Sequence, residues 1–211
     1  LLQPSEQKRL RTAASSDVGL GVNHHLVFTP AGLANARGID DLLRTYVAQA
    51  RMVADFDQLP IPYRAVATDM VTGKMVVLSH GDLARALRAS MAIPGAFSPV
   101  TWDRYVLADG GQVRNIPVDV ARQTCADIVI VVNLVEPETP PEELVQATQV
   151  VMRSMEVMLQ ANEAVQLESL TARDVRIDVP MGDISSVDFT RVPEAIPLGE
   201  AAARKAIDRL R

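Results

Sequence analysis

The stretch Tyr105-Val106-Leu107-Ala108-Asp109-Gly110-Gly111-Gln112-Val113-Arg114-Asn115-Ile116-Pro117-Val118 decides how this chain is read. Tyr105 to Ala108 is a short β-rich run that ends on a single carboxylate, and two glycines follow it. A Gly-Gly pair permits positive φ and lets a ligand or a second backbone come close. Strand ends of this kind are where α/β proteins keep their sites, which makes Asp109 the first catalytic candidate, with Gly110 and Gly111 as its supporting turn. Asp-Gly also opens ordinary turns for local reasons, so the dipeptide by itself leaves a turn role open.

Downstream, Pro117 suits the first position of a short helix through Thr124, with its N-terminal amides toward the same strand end. Asp127 to Leu134 (Asp-Ile-Val-Ile-Val-Val-Asn-Leu) has the near-continuous hydrophobicity of a central parallel strand covered on both faces. Glu136 to Pro141 reads as a loop. Thr139 or Pro140 then starts a long amphipathic helix to about Ser169, with Leu144, Val151, Met155, Met158, Leu159, Val165 and Leu167 among its apolar positions. Its methionines suit either a core or an adaptable lipid- or partner-facing surface. Asp174 to Val179 is a last strand and Ala195 to Leu210 a terminal helix.

Upstream, Asp82 is a helix N-cap, with Leu83, Ala86, Leu87 and Ser90 or Met91 on one face, and Pro94-Gly95 ends that helix. No Gly-x-Ser-x-Gly surrounds Ser90, so its hydroxyl lacks the sharp turn that presents a nucleophile, and it reads as structural. The loop Ile93 to Trp102 carries Phe97 and Trp102 between prolines, as either an apolar entrance or buried turn packing. Tyr63 to Met70 is a buried strand, and Val71 to Lys74 a hairpin turn into Met75 to Leu78. Asp69 is a rival carboxylate, but without glycines after it a turn role fits better. Asp40 to Phe56 shows the period of a covering helix, ended by Leu59-Pro60-Ile61-Pro62. His24-His25 has no acid or thiol at ligand spacing and reads as a surface or turn pair. Gly19-x-Gly21 lacks the rest of a phosphate-binding loop.

Composition bounds the class. The chain has 211 residues, 48% apolar and 22% charged, enough for one globular domain with a real core. No linker-like segment divides it, so residues 1–211 are read as one domain. A net charge of -5 with scattered Lys and Arg gives no basic footprint, which argues against a nucleic-acid partner. The longest purely apolar stretch, Ile128 to Val132, is far too short to span a bilayer, so any membrane contact is peripheral or comes from elsewhere. Cys125 is the only cysteine, which rules out an internal disulfide and a thiolate metal cluster; a buried core thiol is its default role.

Taken together, Arg85-Ala86-Leu87-Arg88-Ala89-Ser90-Met91-Ala92-Ile93-Pro94-Gly95-Ala96-Phe97-Ser98-Pro99-Val100, Leu107-Ala108-Asp109-Gly110-Gly111 and Asn115-Ile116-Pro117-Val118 resemble the second half of a bacterial patatin-like phospholipase domain. Leu59 to Asp69, Pro30-Ala31-Gly32-Leu33 and the tail Asp188-Phe189 through Glu194-Ala195-Ile196 to Gly199-Glu200-Ala201-Ala202 extend the resemblance over most of the chain. It implies a three-layer α/β/α sandwich around a mainly parallel central sheet, here without its N-terminal strand and nucleophile elbow. It implies acyl-ester hydrolysis of phospholipid or lysophospholipid by a Ser-Asp dyad, with Asp109 as base and no metal or organic cofactor. His24, His25 and His80 lie in none of the matched motifs, which fits a dyad. The departure is specific: among the 11 glycines there is no Gly-x-Ser-x-Gly and no Gly-Gly-Gly run for an oxyanion hole. The nucleophile is therefore expected upstream of Leu1. The alternative is a non-catalytic remnant that binds lipid or a partner. Family members occur in the bacterial cytoplasm and as secreted or outer-membrane-associated proteins.

Overall fold

The computed structural model describes residues 21–23, 26–28, 36–124, 126–135, 138–184 and 189–209. They fall into two compact units, one running to Val113 and one from Arg114. His24, His25 and Cys125 lie outside the described residues.

In the first unit β1 (Gly21–Asn23) and β2 (Leu26–Phe28) pair antiparallel. Strands of three residues are too short to show an alternating pattern along the chain. The helix α1 (Ala36–Tyr46) stops well before Phe56, the expected end. Single 3-10 turns at Ala48–Ala50 and Phe56–Gln58 replace its second half. The cause is competition for the backbone: Asp55 accepts from the Asp57 amide at 3.0 Å, while Phe56 N–H donates to Ser79 and Gly81 N–H to Ala54. Phe56 is thereby held fully buried.

Next come β3 (Ala65–Asp69), β4 (Lys74–Leu78), α2 (Leu83–Ser90), β5 (Val100–Trp102) and β6 (Tyr105–Asp109). The four strands make one sheet in the order β4-β3-β6-β5, and every neighbouring pair is antiparallel. This corrects the expectation of a mainly parallel sheet for this part of the chain. Short connections explain the two outer pairs. β3 and β4 are joined by Met70 to Gly73, with Gly73 at φ 67, and β5 and β6 by Asp103-Arg104, with Asp103 at φ 50. Parallel neighbours need a crossover of a dozen or more residues, so turns this short return the chain antiparallel. All five residues of β3 are buried, as the apolar run predicted. Asp82 caps α2 by accepting from the Arg85 amide at 3.1 Å. Ala86 and Ala89 of α2 are fully buried in a core with Ala65, Ala67, Leu78, Trp102 and Leu107. Their small side chains let the helix lie close to the sheet. Helix α3 (Gly111–Arg114) follows β6 directly.

The second unit holds α4 (Val118–Gln123), β7 (Ile130–Val135), α5 (Ala147–Glu168), β8 (Val175–Pro180) and α6 (Val192–Lys205). β7 and β8 pair parallel. Val175, Ile177 and Val179 alternate onto a core with Ala202, Ala195 and Leu198, whereas Val129 and Val131 pack with Ile116, Val118, Leu167 and Leu170. β7 was expected to be covered on both faces; Ile130, Val132 and Leu134 are exposed instead, and β8 is its one paired neighbour among the described residues. Among the described residues no helix is long and apolar enough to cross a membrane.

Asp174 ties this unit together. Its side chain is fully buried and accepts from the amides of Val129 and Thr171 at 2.8 and 2.6 Å, from the Thr171 hydroxyl at 2.8 Å, and from Arg122. These donors, the backbone amides above all, hold its carboxyl far below the usual carboxylate range. A depressed folded-state pKa gives stability that is present above the unfolded value of about 3.9 and lost as pH falls. The urea midpoint of the wild type should therefore drop as pH is lowered from about 5. Asp174→Asn should start lower at neutral pH and fall less steeply. An unchanged acid slope in that variant would place the acid sensitivity in other groups.

Candidate active site

Asp109 is the last residue of β6, opposite Ala67 of β3. Its main chain is fixed from two sides: its amide donates to the Ala92 carbonyl at 2.9 Å, just past α2, and its carbonyl accepts from the Thr68 hydroxyl at 2.7 Å. One carboxylate oxygen accepts from the Gly111 amide at 2.7 Å. The side chain is half-buried. Burial pushes its pKa up, against the opposing pull of the Gly111 amide. The site thus holds a carboxylate of raised basicity with a set direction, as proton transfer to and from a neighbouring hydroxyl requires.

Gly110 explains why a glycine stands here. Its φ is not positive; what excludes a side chain is the backbone of β3. A Cβ at Gly110 would lie 2.6 Å from the Val66 carbonyl carbon and closer still to its oxygen. The same Val66 carbonyl accepts from the Ser90 hydroxyl at 2.7 Å, and Gly110 N–H donates to the Ser90 carbonyl at 3.3 Å. Ser90 is thus engaged in joining α2 to β3 and the Asp109 turn. The rival Asp69 takes the turn role expected of it, accepting from the Thr72 hydroxyl at 2.6 Å and the Val71 amide at 3.2 Å.

The apolar-entrance reading of Ile93 to Trp102 is not what the structure holds. Phe97 is 1% exposed and packs with Ile39, Leu42, Leu43 and Met91, and Trp102 lies in the core beside Leu107. Thr68 and the Ala92 carbonyl went unnoticed in the sequence as supports of Asp109. Both act through contacts distant along the chain, 41 residues in the case of Thr68. Among the described residues no group of three or more His, Cys, Asp or Glu side chains could hold a metal ion.

Gly110→Ala tests the close approach. Because the clash is with backbone, β3 or the turn must move, and the variant should lose ~2 kcal/mol or more in denaturant unfolding. Stability within a few tenths of wild type would show that the turn has room to spare.

The Patatin-like phospholipase family model matches residues 5–122, which include Asp109. An NTE family protein of Mycobacterium tuberculosis strain H37Rv is 41% identical over 111 residues, covering 53% of this chain and 30% of that protein. A second NTE family protein of the same strain is 38% identical over 71 residues, 34% of this chain and 12% of its own length. Patatin-like phospholipase domain-containing protein 7 of Mus musculus is 39% identical over 80 residues, 37% of this chain and 6% of that protein. The matches thus span less than a third of these relatives' length. With more than half of its residues inside the family model, this chain belongs to the patatin-like phospholipase family.

Proposed function

We propose that this chain is the base-bearing part of a lipid acyl hydrolase of the phospholipase A or lysophospholipase type, acting on phospholipid or lysophospholipid at a membrane surface. The observation that carries this reading is Asp109: a half-buried carboxylate of raised pKa, fixed at a strand end inside the stretch that matches the family. The 211 residues contain no Gly-x-Ser-x-Gly. The nucleophilic serine, the oxyanion donors, and the strand and helix of the elbow are assigned to sequence ahead of Leu1, completing one patatin-like domain with a three-layer arrangement.

In that domain Asp109 accepts the serine proton as the hydroxyl oxygen attacks the acyl carbonyl. The tetrahedral intermediate collapses, the ester C–O bond breaks, and the proton passes from Asp109 to the departing alcohol oxygen. Water then repeats the sequence on the acyl-enzyme, giving up a proton to Asp109 and releasing the fatty acid as the serine takes that proton back. No step requires a metal or an organic cofactor.

Asp109→Asn in the full-length protein separates catalysis from folding. The amide keeps an oxygen for the Gly111 N–H but is a poor proton acceptor, so ester hydrolysis should fall by at least ~100-fold. A carboxyl whose pKa is raised on folding costs stability once pH exceeds its unfolded value, so at neutral pH the variant should be at least as stable as wild type. In the wild type, kcat/KM should decline on the acid side with an inflection above the ordinary aspartate value of about 3.9. Undiminished hydrolysis by a folded Asp109→Asn protein would remove Asp109 from the mechanism.

Labelling locates the nucleophile. A fluorophosphonate probe should modify one serine of the full-length protein, on a peptide preceding Leu1. Modification of Ser90 instead would overturn the assignment, and a full-length protein that neither labels nor hydrolyses esters would favour the lipid- or partner-binding alternative.

A further inference from the structure

Arg88 of α2 is a buried cation with unused hydrogen-bonding capacity. Its side chain is 6% exposed. Nε faces an Asp40 oxygen at 3.3 Å, Nη2 donates to the Ser98 carbonyl at 2.9 Å, and the guanidinium lies 5.2 Å from the Phe97 ring centre. Nη1 is buried and has no hydrogen-bond partner among the described residues. Arginine keeps its charge, and burying it is costly unless its donors and its charge are met. Asp40 meets the charge incompletely, since its own side chain is 42% exposed. Burial accordingly depresses the Arg88 pKa even though Asp40 opposes the shift.

Arg88 also lines a surface cavity of about 290 Å³, together with Asp40, Arg44, Arg85, Ser98 and Val100. Arg85 is held in place there: it donates to the Thr101 carbonyl and stacks on Trp102, 4.9 Å from the ring centre. Arg44 is exposed in the last turn of α1. Three guanidinium groups therefore share one cavity with a single carboxylate. An excess of two positive charges, presented as planar donor forks, suits a tetrahedral oxyanion with several acceptor oxygens.

We propose that the cavity between α1 and α2 binds a phosphate group through Arg44, Arg85 and Arg88. None of these residues bonds to Asp109, so the proposal does not rest on the hydrolase reading. The phosphate is either free or carried as a lipid headgroup, and the two sources are separable by experiment.

The full-length protein is titrated by calorimetry at constant ionic strength, once with inorganic phosphate and once with water-soluble dihexanoyl phosphatidate below its micellar concentration. Saturable binding is expected, weakened roughly tenfold by Arg88→Gln and by Arg44→Glu. Asp40→Asn removes the competing carboxylate and should tighten binding about threefold, an effect that a purely structural Arg88-Asp40 pair would not produce. Binding of inorganic phosphate with this pattern supports a free-anion site; binding of phosphatidate alone with this pattern supports a headgroup site. If Arg88→Gln does not fold, Arg44→Glu and Asp40→Asn, both at solvent-accessible positions, decide the matter. No saturable heat from either titrant up to about 10 mM, or binding indifferent to the change at Arg44, overturns the proposal.

Discussion

The approach of the Gly110 peptide to the Val66 carbonyl is the contact on which the first unit depends. It brings the end of β6 against β3 at a distance that no side chain permits. The same point gathers α2, through the Ser90 hydroxyl on Val66 and the Ser90 carbonyl on Gly110 N–H. Asp109 is fixed by this junction rather than by its own strand alone: its amide reaches the chain just past α2 and its carbonyl meets a hydroxyl of β3. Hydrogen bonds of this kind contribute about 1 kcal/mol each in net stability. Their larger effect is directional, because a carboxylate whose backbone is held from two sides has few ways to turn. A base that must receive a proton and later return it needs that constancy of position.

Buried charge is handled in two ways in this chain. Asp174 is surrounded by donors until its ionised form is strongly favoured, and it joins the starts of β7 and β8 to the end of α4. Asp109 receives one amide on its carboxylate and is otherwise desolvated, so its ionised form is disfavoured and its proton affinity rises. The same residue type thus serves as a structural clamp in one place and as a candidate base in the other. The number of N–H and O–H groups aimed at the carboxylate makes the difference. Arg88 repeats the second pattern with the opposite sign, a cation buried with part of its hydrogen-bonding capacity unmet among the described residues.

Family membership and site geometry bear on different questions. The matched stretch identifies the family, and lipid ester hydrolysis is the activity proposed from it. The geometry shows a half-buried aspartate whose pKa burial raises, and the proposed role of Asp109 as a base rests on that. The relatives differ greatly in length, and the aligned stretch is 30% of one mycobacterial protein and 6% of the mouse protein.

Much of the local structure was legible in the sequence. The buried strand before the Val71 to Lys74 turn, the Asp82 cap, the strand leading to Asp109, the turn role of Asp69 and the alternating last strand all follow from short-range rules of period, capping and turn chemistry. So did the choice of Asp109 as the residue to watch, because Asp-Gly-Gly at a strand end is a local pattern. The sequence carried the antiparallel direction of the first hairpin and left Phe97 between an entrance and buried packing; it did not carry the antiparallel pairing of the other strands of that sheet or the early end of α1. The β5-β6 direction depended on the Asp103-Arg104 turn, whose β5 partner is only three residues long. The end of α1 was set by backbone bonds from Phe56 and Gly81 to partners about 25 residues away. The raised basicity of Asp109 and the reason Gly110 must be glycine were likewise decided only in three dimensions. Desolvation and close backbone approach are properties of what packs around a residue, and neither is written in its neighbours along the chain.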